Sequence, residues 1–116
     1  MKINAIQELL GAKVLCCEES LNKHVYSACG CDLMSDVLAY VKDQAVLLTG
    51  LVNPQVIRTA VMMDMICIVF VRSKIPSEEM LSLAKESGIV VMTTDKRLYE
   101  ACGLLYSNGL VGNKTK

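Results

Sequence analysis

The chain has 116 residues, of which 53% are apolar, and its 12 Lys and Arg residues balance 12 Asp and Glu residues. This length and composition suit a single domain with one packed core, while the zero net charge disfavours nucleic acid as a partner and the short apolar runs exclude a membrane span. We therefore expect a cytoplasmic protein with no nucleic acid or membrane partner, whose six cysteines are reduced thiols.

Short elements open the chain. Apolar residues at helical spacing predict a first helix over residues 4–10, and Gly11 can end that helix in a left-handed conformation. Two short strands are expected next, at residues 13–16 and 24–27, separated by a polar segment.

The stretch SACGCDLMSD, residues 27–36, could be either the start of a helix or a catalytic or metal site. Its pattern predicts a strand that leads into a helix over residues 34–41, with Asp32 or Ser35 accepting hydrogen bonds from the first-turn N–H groups. Asp32 and Asp36 could instead form a carboxylate pair for acid–base catalysis or for magnesium, or complement the positive end of the helix dipole.

Three continuous apolar runs of strand length follow, at residues 45–49, 66–71 and 89–92. Such runs are typical of strands covered by helices on both faces. Each is followed by a helix with recognisable capping residues: Asn53 with Pro54, then Ser77, then Thr94 or Asp95. The sequence therefore predicts an α/β fold, a single three-layer-like domain with a parallel βαβαβα core, followed by a flexible tail over residues 111–116.

The loops after these strands are the expected place for a ligand. In open α/β sheets, ligands bind at the carboxyl ends of the strands, where helix N-termini present free N–H groups. The loops at residues 49–53, 72–77 and 92–95 are polar and would suit a small anionic or nucleotide-like ligand. Alternatively, Asn53, Ser77 and Thr94 serve only as helix caps.

The cysteines allow two other kinds of site. Cys16, Cys17, Cys29 and Cys31 could hold zinc or an iron–sulfur cluster, although the usual motifs place two to four residues between cysteines. His24 could activate a cysteine nucleophile, but no third residue that would orient it can be located. The motifs of P-loop enzymes, dinucleotide-binding enzymes and zinc proteases are absent.

Several segments together resemble the DRTGG domain family, which is similar to the N-terminal domain of HPr kinase/phosphorylase. The resemblance covers residues 1–110, and the segments that carry it are LNKHV at 21–25, CDLMSDVL at 31–38, LLTGLVNP at 47–54 and IVVMTT at 89–94. The chain departs from the Gly-Gly turn of the family signature, where it has Ser27 and Ala28.

The resemblance implies an α/β fold like the N-terminal domains of HPr kinase and Mur ligases, a tendency to dimerise, and no catalytic activity. Such domains occur beside CBS domains, in phosphotransacetylases, and as stand-alone proteins, some encoded near iron-only hydrogenases. We therefore expect a non-catalytic regulatory domain without a cofactor, a homodimer that binds a small phosphorylated or nucleotide-like ligand.

Arg72 or Lys74 would supply positive charge to this ligand, and hydrogen bonds would come from Thr49, Asn53, Thr93 and Thr94. The residues expected to contact the ligand are Asp32, Ser35, Asp36, Thr49, Gly50, Asn53, Arg72, Thr93 and Thr94. The alternative function is a thiol-based metal or cluster accessory protein for a redox enzyme such as hydrogenase.

The methionines bear on dimerisation. Met62, Met63 and Met65 cluster at a predicted helix end, where flexible thioethers suit an adaptable apolar interface between two copies. Core packing is the other interpretation of these residues.

Overall fold

A computed structural model of the protein describes residues 1–40 and 44–111. The helices are α1 (Ile3–Leu10), α2 (Met34–Tyr40), α3 (Pro54–Met62), α4 (Glu78–Ser87) and α5 (Leu98–Ser107). The strands are β1 (Lys13–Cys16), β2 (Ser27–Gly30), β3 (Ala45–Thr49), β4 (Cys67–Phe70) and β5 (Val90–Thr93), with a short 3-10 helix at Glu18–Ser20. Residue 41 of the predicted second helix and residues 112–116 of the predicted tail lie outside the described residues. In the described ranges, none of the helices is both long and apolar enough to cross a membrane.

The five strands form one sheet in the order β1-β5-β4-β3-β2. Strands β2 to β5 are parallel, which confirms the predicted parallel core. Strand β1 lies at one edge and runs antiparallel to β5, with an irregularity between Val14 and Cys16. The carboxyl ends of four neighbouring strands therefore meet along one side of the sheet.

Helices cover both faces of the sheet, so the molecule has the predicted three layers. On one face, α2, α3 and α4 pack on residues such as Leu47, Ile68 and Phe70. On the other face, α1 and α5 pack on residues such as Leu48 and Val69. Successive strand residues alternate between the two faces, and both alternating sets are apolar because both faces are covered.

The helix ends follow the predicted signals in most cases. Gly11 ends α1 in a left-handed conformation, with φ of 58°. Asn53 and Ser77 cap α3 and α4 through their side-chain oxygens, and Pro54 begins α3. Helix α5 is present as predicted, but Thr94 and Asp95 do not cap it, because Arg97 occupies its N-cap position and makes no side-chain capping bond.

The strand predicted at the start of residues 27–36 is confirmed as β2, whereas the one predicted at residues 24–27 is placed too early. Strand β2 begins at Ser27, where the strand predicted at residues 24–27 ends. The preceding residues pair instead with the start of the chain: Val25 N donates to Met1 O (2.7 Å) and Ile3 N donates to Lys23 O (3.0 Å). Residues 23–25, shortly before β2, therefore form hydrogen bonds with residues 1–3 at the start of the chain and do not belong to the main sheet.

Candidate ligand site at the strand carboxyl ends

The loops after β2 and β3 are joined by an aspartate. The Asp32 Oδ1 atom accepts hydrogen bonds from Thr49 Oγ1 (3.0 Å) and from Gly50 N (2.8 Å). The Thr49 hydroxyl oxygen in turn accepts from Leu51 N (3.1 Å), so that the first turn after β3 is fixed as well. Asp32 is thus a carboxylate held in place at the carboxyl end of the sheet.

This arrangement corrects the predicted capping of α2. Neither Asp32 nor Ser35 caps the helix, because the first-turn N–H groups of Asp36 and Val37 donate to the Leu33 carbonyl oxygen (3.0 and 3.3 Å). The Asp32 carboxylate, which would have been the cap, is used by the neighbouring loop. The hydrogen bonds of Asp32 therefore join separate segments of the chain instead of stabilising the helix that follows it.

The Arg72 guanidinium and the Asp32 carboxylate both lie close to Gly50, and no ion pair joins the two groups among the described residues. A Cβ atom built on Gly50 would lie 3.1 Å from an Nη atom of Arg72 and 3.7 Å from Asp32 Oδ1. The first distance is tighter than an ordinary van der Waals contact, so a side chain at residue 50 would displace the guanidinium. Glycine at residue 50 therefore leaves room for the Arg72 guanidinium to lie close to the backbone of this loop.

The loop that carries Arg72 has an unusual backbone. Arg72 and Ser73 both have φ of 58°, the left-handed region that non-glycine residues seldom adopt. Hydrogen bonds to the next loop hold both residues: Arg72 N donates to Lys96 O (2.8 Å) and Ser73 N donates to Thr94 O (2.8 Å). The conformation that positions the Arg72 side chain is therefore maintained by the loop after β5.

The threonine hydroxyls expected to donate to a ligand are already used as donors. Thr49 Oγ1 donates to Asp32, Thr93 Oγ1 to Lys74 O (2.8 Å), and Thr94 Oγ1 to Leu10 O (2.7 Å). A hydroxyl has one proton to donate, so each of these three residues would have to release its present acceptor before it could donate to a ligand, and their donor role stays a prediction. In this structure their hydroxyls stabilise the loops.

The remaining predicted contacts are spread over this end of the molecule. Asn53 Oδ1 accepts from Gln55 N (2.8 Å), which leaves the amide nitrogen of Asn53 for other contacts. Ser35 and Asp36 are exposed on the first turn of α2. Within the described ranges, no hydrogen bond joins either side chain to Asp32 or Arg72.

Two cations at this site were missed in the sequence. Lys96 and Arg97 lie on the loop after β5, next to the loop that carries Arg72 and Lys74. Both cations belong to the short run DKR at residues 95–97, of which only Asp95 was considered, as a possible helix cap. Two adjacent loops with two basic residues each favour an anionic ligand.

The predicted four-thiol metal site is contradicted by the sheet order. Cys16 and Cys29 lie on β1 and β2, the two opposite edges of the sheet. Four steps between neighbouring strands, at about 4.8 Å each, separate these edges by roughly 19 Å. Among the described residues, no three His, Cys, Asp or Glu side chains are grouped to hold a metal ion.

The neighbour of His24 is Tyr26 and not a cysteine. His24 is exposed, and its ring stacks on Tyr26 with ring centroids 6.2 Å apart. It forms no described hydrogen bond to a cysteine. The Cys–His hypothesis therefore has no support in the geometry.

The left-handed residue Ser73 offers a test of the loop geometry. We expect Ser73→Gly to raise the free energy of unfolding by up to about 1 kcal/mol, because glycine removes the left-handed penalty at a small entropic cost. The matched control is Ser82→Gly on the exposed face of α4, which should lower stability by about 0.5 kcal/mol. Urea denaturation measures both, and a loss of stability in Ser73→Gly would contradict the observed conformation.

Fold and site together define a small three-layer α/β domain with a cation-rich rim at the carboxyl ends of its parallel strands. A family model of the DRTGG domain matches residues 5–107, and the chain belongs to this family. The fold is similar to the crystal structure of the CBS and DRTGG domains of the regulatory region of Clostridium perfringens pyrophosphatase, complexed with its activator diadenosine tetraphosphate.

That similarity has a TM-score of 0.72 at 17% sequence identity, and it covers 90% of this chain and 45% of that one. The present chain therefore spans less than half the length of that regulatory region. A comparison with curated proteins gave no match. The resemblance to the DRTGG family found in the sequence is confirmed, and so is the α/β fold.

Proposed function

We propose that this protein is a non-catalytic regulatory domain of the cytoplasm, a homodimer that binds a small phosphorylated or nucleotide-like ligand at the carboxyl ends of its strands. The observation that carries the proposal is the position of Arg72. It lies on a loop with a left-handed backbone held by the neighbouring loop, and its guanidinium is close to Gly50, as the Asp32 carboxylate is. Left-handed non-glycine residues are concentrated at ligand and active sites.

The chemistry of the rim favours a phosphate-containing ligand that also has hydrogen-bond donors. A guanidinium binds phosphate through two parallel N–H···O bonds, and Lys74, Lys96 and Arg97 add positive charge nearby. The Asp32 carboxylate would accept hydrogen bonds from a ribose hydroxyl or a base amino group. A nucleotide presents both kinds of group. The activator bound in the pyrophosphatase regulatory region is a nucleotide, which supports the same ligand class here.

The test is isothermal titration calorimetry of the full chain with four probes: diadenosine tetraphosphate, ATP, AMP and inorganic phosphate. We expect at least one nucleotide to bind, and Arg72→Ala to weaken that binding at least tenfold, since a charged hydrogen bond contributes about 1.5–3 kcal/mol. The matched control is Lys85→Ala, an exposed cation in the last turn of α4, which should change the affinity less than twofold.

Three outcomes would contradict parts of the proposal. Absence of binding by all four probes would overturn the ligand class. Equal affinity in Arg72→Ala and in the unsubstituted chain would move the ligand away from the strand carboxyl ends. Conversion of the bound nucleotide, detected by chromatography of the recovered ligand, would overturn the non-catalytic assignment.

A further inference from the structure

Helix α3 has an exposed stripe that ends in two apolar residues, Val61 and Met62, in its last turn. The outward face consists of Gln55, Arg58, Val61 and Met62. The face toward the core includes Val56, Ile57 and Ala60. Val61 is 44% exposed and Met62 is 69% exposed. Val61 therefore lies outside the buried face of this helix, although its apolar side chain and its spacing from Ile57 would suit that face. Of the methionines predicted to form an interface, Met65 is buried in the core, so Met62 is the exposed one.

Hollows lie on both sides of Val61. A groove of about 330 Å³ between α3 and α4 is lined by Ile57, Arg58, Val61, Met62, Leu83 and Ser87. A second hollow of about 550 Å³ lies at the amino ends of the strands and shares Val61 and Ser87 with the groove. The surface thus combines a projecting methionine with an adjacent apolar depression, and a flexible thioether can fill such a depression.

The charges around Val61 are arranged symmetrically. Arg58 precedes Val61 by three residues and Asp64 follows it by three, and both side chains are exposed. Neither forms an ion pair with another residue in the described ranges. Arg58 lines one of the two hollows beside Val61, and Asp64, in the turn just after α3, lines the other. If two copies pack with the ends of their α3 helices antiparallel about a two-fold axis at Val61, each Arg58 comes close to Asp64 of the other copy. The surface is therefore complementary to itself, which is the condition for an isologous dimer interface.

We propose that α3 is the self-association surface of this protein. Two copies pack with their α3 helices antiparallel, which buries Val61 and Met62 at the centre and pairs Arg58 with Asp64 at both ends. An apolar centre with a charged rim is the usual composition of such interfaces. This inference rests on the dimerisation proposed above, and it names the surface and the contacts responsible.

The test is a charge exchange followed by sedimentation equilibrium of the full chain. Arg58→Asp and Asp64→Arg should each weaken the dimer at least tenfold, because each places like charges opposite one another. The double variant restores opposite charges and should return to within about threefold of the original dissociation constant. The matched control is Lys13→Asp, a charge reversal on the exposed part of β1, which should leave the dissociation constant unchanged.

A second variant guards against loss of folding. Asp64 has φ of 54°, a conformation that Asp tolerates better than Arg, so Asp64→Arg can lower stability. Met62, the last residue of α3, is not among the residues with a left-handed backbone, so Met62→Lys has no such strain and should also weaken the dimer at least tenfold. Circular dichroism melting of each variant shows whether it is folded at the temperature of the sedimentation run.

The outcomes separate this surface from dimerisation itself. Weakening in the single variants with recovery in the double variant supports the α3 surface. A dimer that is equally tight in all variants overturns the α3 surface and leaves the proposed dimer intact, with its contacts elsewhere. A monomer at every concentration up to 100 μM overturns both, whereas the nucleotide titration tests the ligand site independently.

Discussion

Native Cys16 and Cys29 are expected to react with iodoacetamide about 100-fold more slowly at pH 8 than ordinary cysteines. Burial raises the pKa of each thiol from 9.0 to about 11, with a further contribution from neighbouring cysteines. Burial disfavours the charged thiolate, which is the reactive form, so an increase of two pKa units lowers the thiolate fraction about 100-fold. The rate should then increase about tenfold per pH unit until the pH approaches 11.

The measurement is a quenched time course at pH 7, 8 and 9, with each cysteine quantified by peptide mass spectrometry. The same protein in guanidinium chloride is the control, because unfolding removes the cause of the shift. Cys67 is fully buried in β4, and burial raises the pKa of its thiol still further, so it should react only after unfolding. Fast alkylation of native Cys16 or Cys29 at pH 7 would reinstate a thiol-based function.

Replacement of Thr94 by valine is expected to lower the free energy of unfolding by about 1–3 kcal/mol. The Thr94 hydroxyl is buried, donates to Leu10 O (2.7 Å) and accepts from Lys96 N (3.3 Å). Valine has nearly the same shape but no hydroxyl, so the carbonyl at the end of α1 would lose its partner in a place that water does not reach. An unsatisfied buried carbonyl accounts for most of the expected loss.

The matched control is Thr94→Ser, which keeps the hydroxyl and removes only a methyl group. We expect it to cost less than about 1 kcal/mol, the value for one buried methyl group. Urea denaturation of both variants provides the comparison. Equal stability of Thr94→Val and the unsubstituted chain would mean that the bond between α1 and the loop after β5 contributes nothing.

The strands and most helix starts could be predicted because their signals are local. The apolar runs that became β3, β4 and β5 need only neighbouring residues to be recognised. The capping residue Asn53 stands three positions before Val56, the first buried residue of α3. The capping residue Ser77 stands at the same distance before Met80, the first buried residue of α4. In these segments the short-range preference and the tertiary structure agree.

The errors arise where distant residues compete for the same group. Asp32 was expected to cap the helix two residues later, but it bonds to residues 17 and 18 positions away. Thr94 was expected to begin α5, but its hydroxyl reaches Leu10, 84 positions earlier. No local sequence pattern indicates partners so far away in the chain. The positions of the loops could therefore be predicted, but the hydrogen bonds of their side chains could not.

The hydrogen bonds between the loops after β4 and β5 affect how these loops unfold locally. The amides of Arg72 and Ser73 lie in an exposed segment, yet both donate to carbonyls of the other loop. Neither loop can open without breaking the bonds of the other, and the Thr94 hydroxyl extends the same set of bonds to the end of α1. We therefore expect these segments to open together and their amides to exchange with a common opening free energy, although they are far apart in the chain.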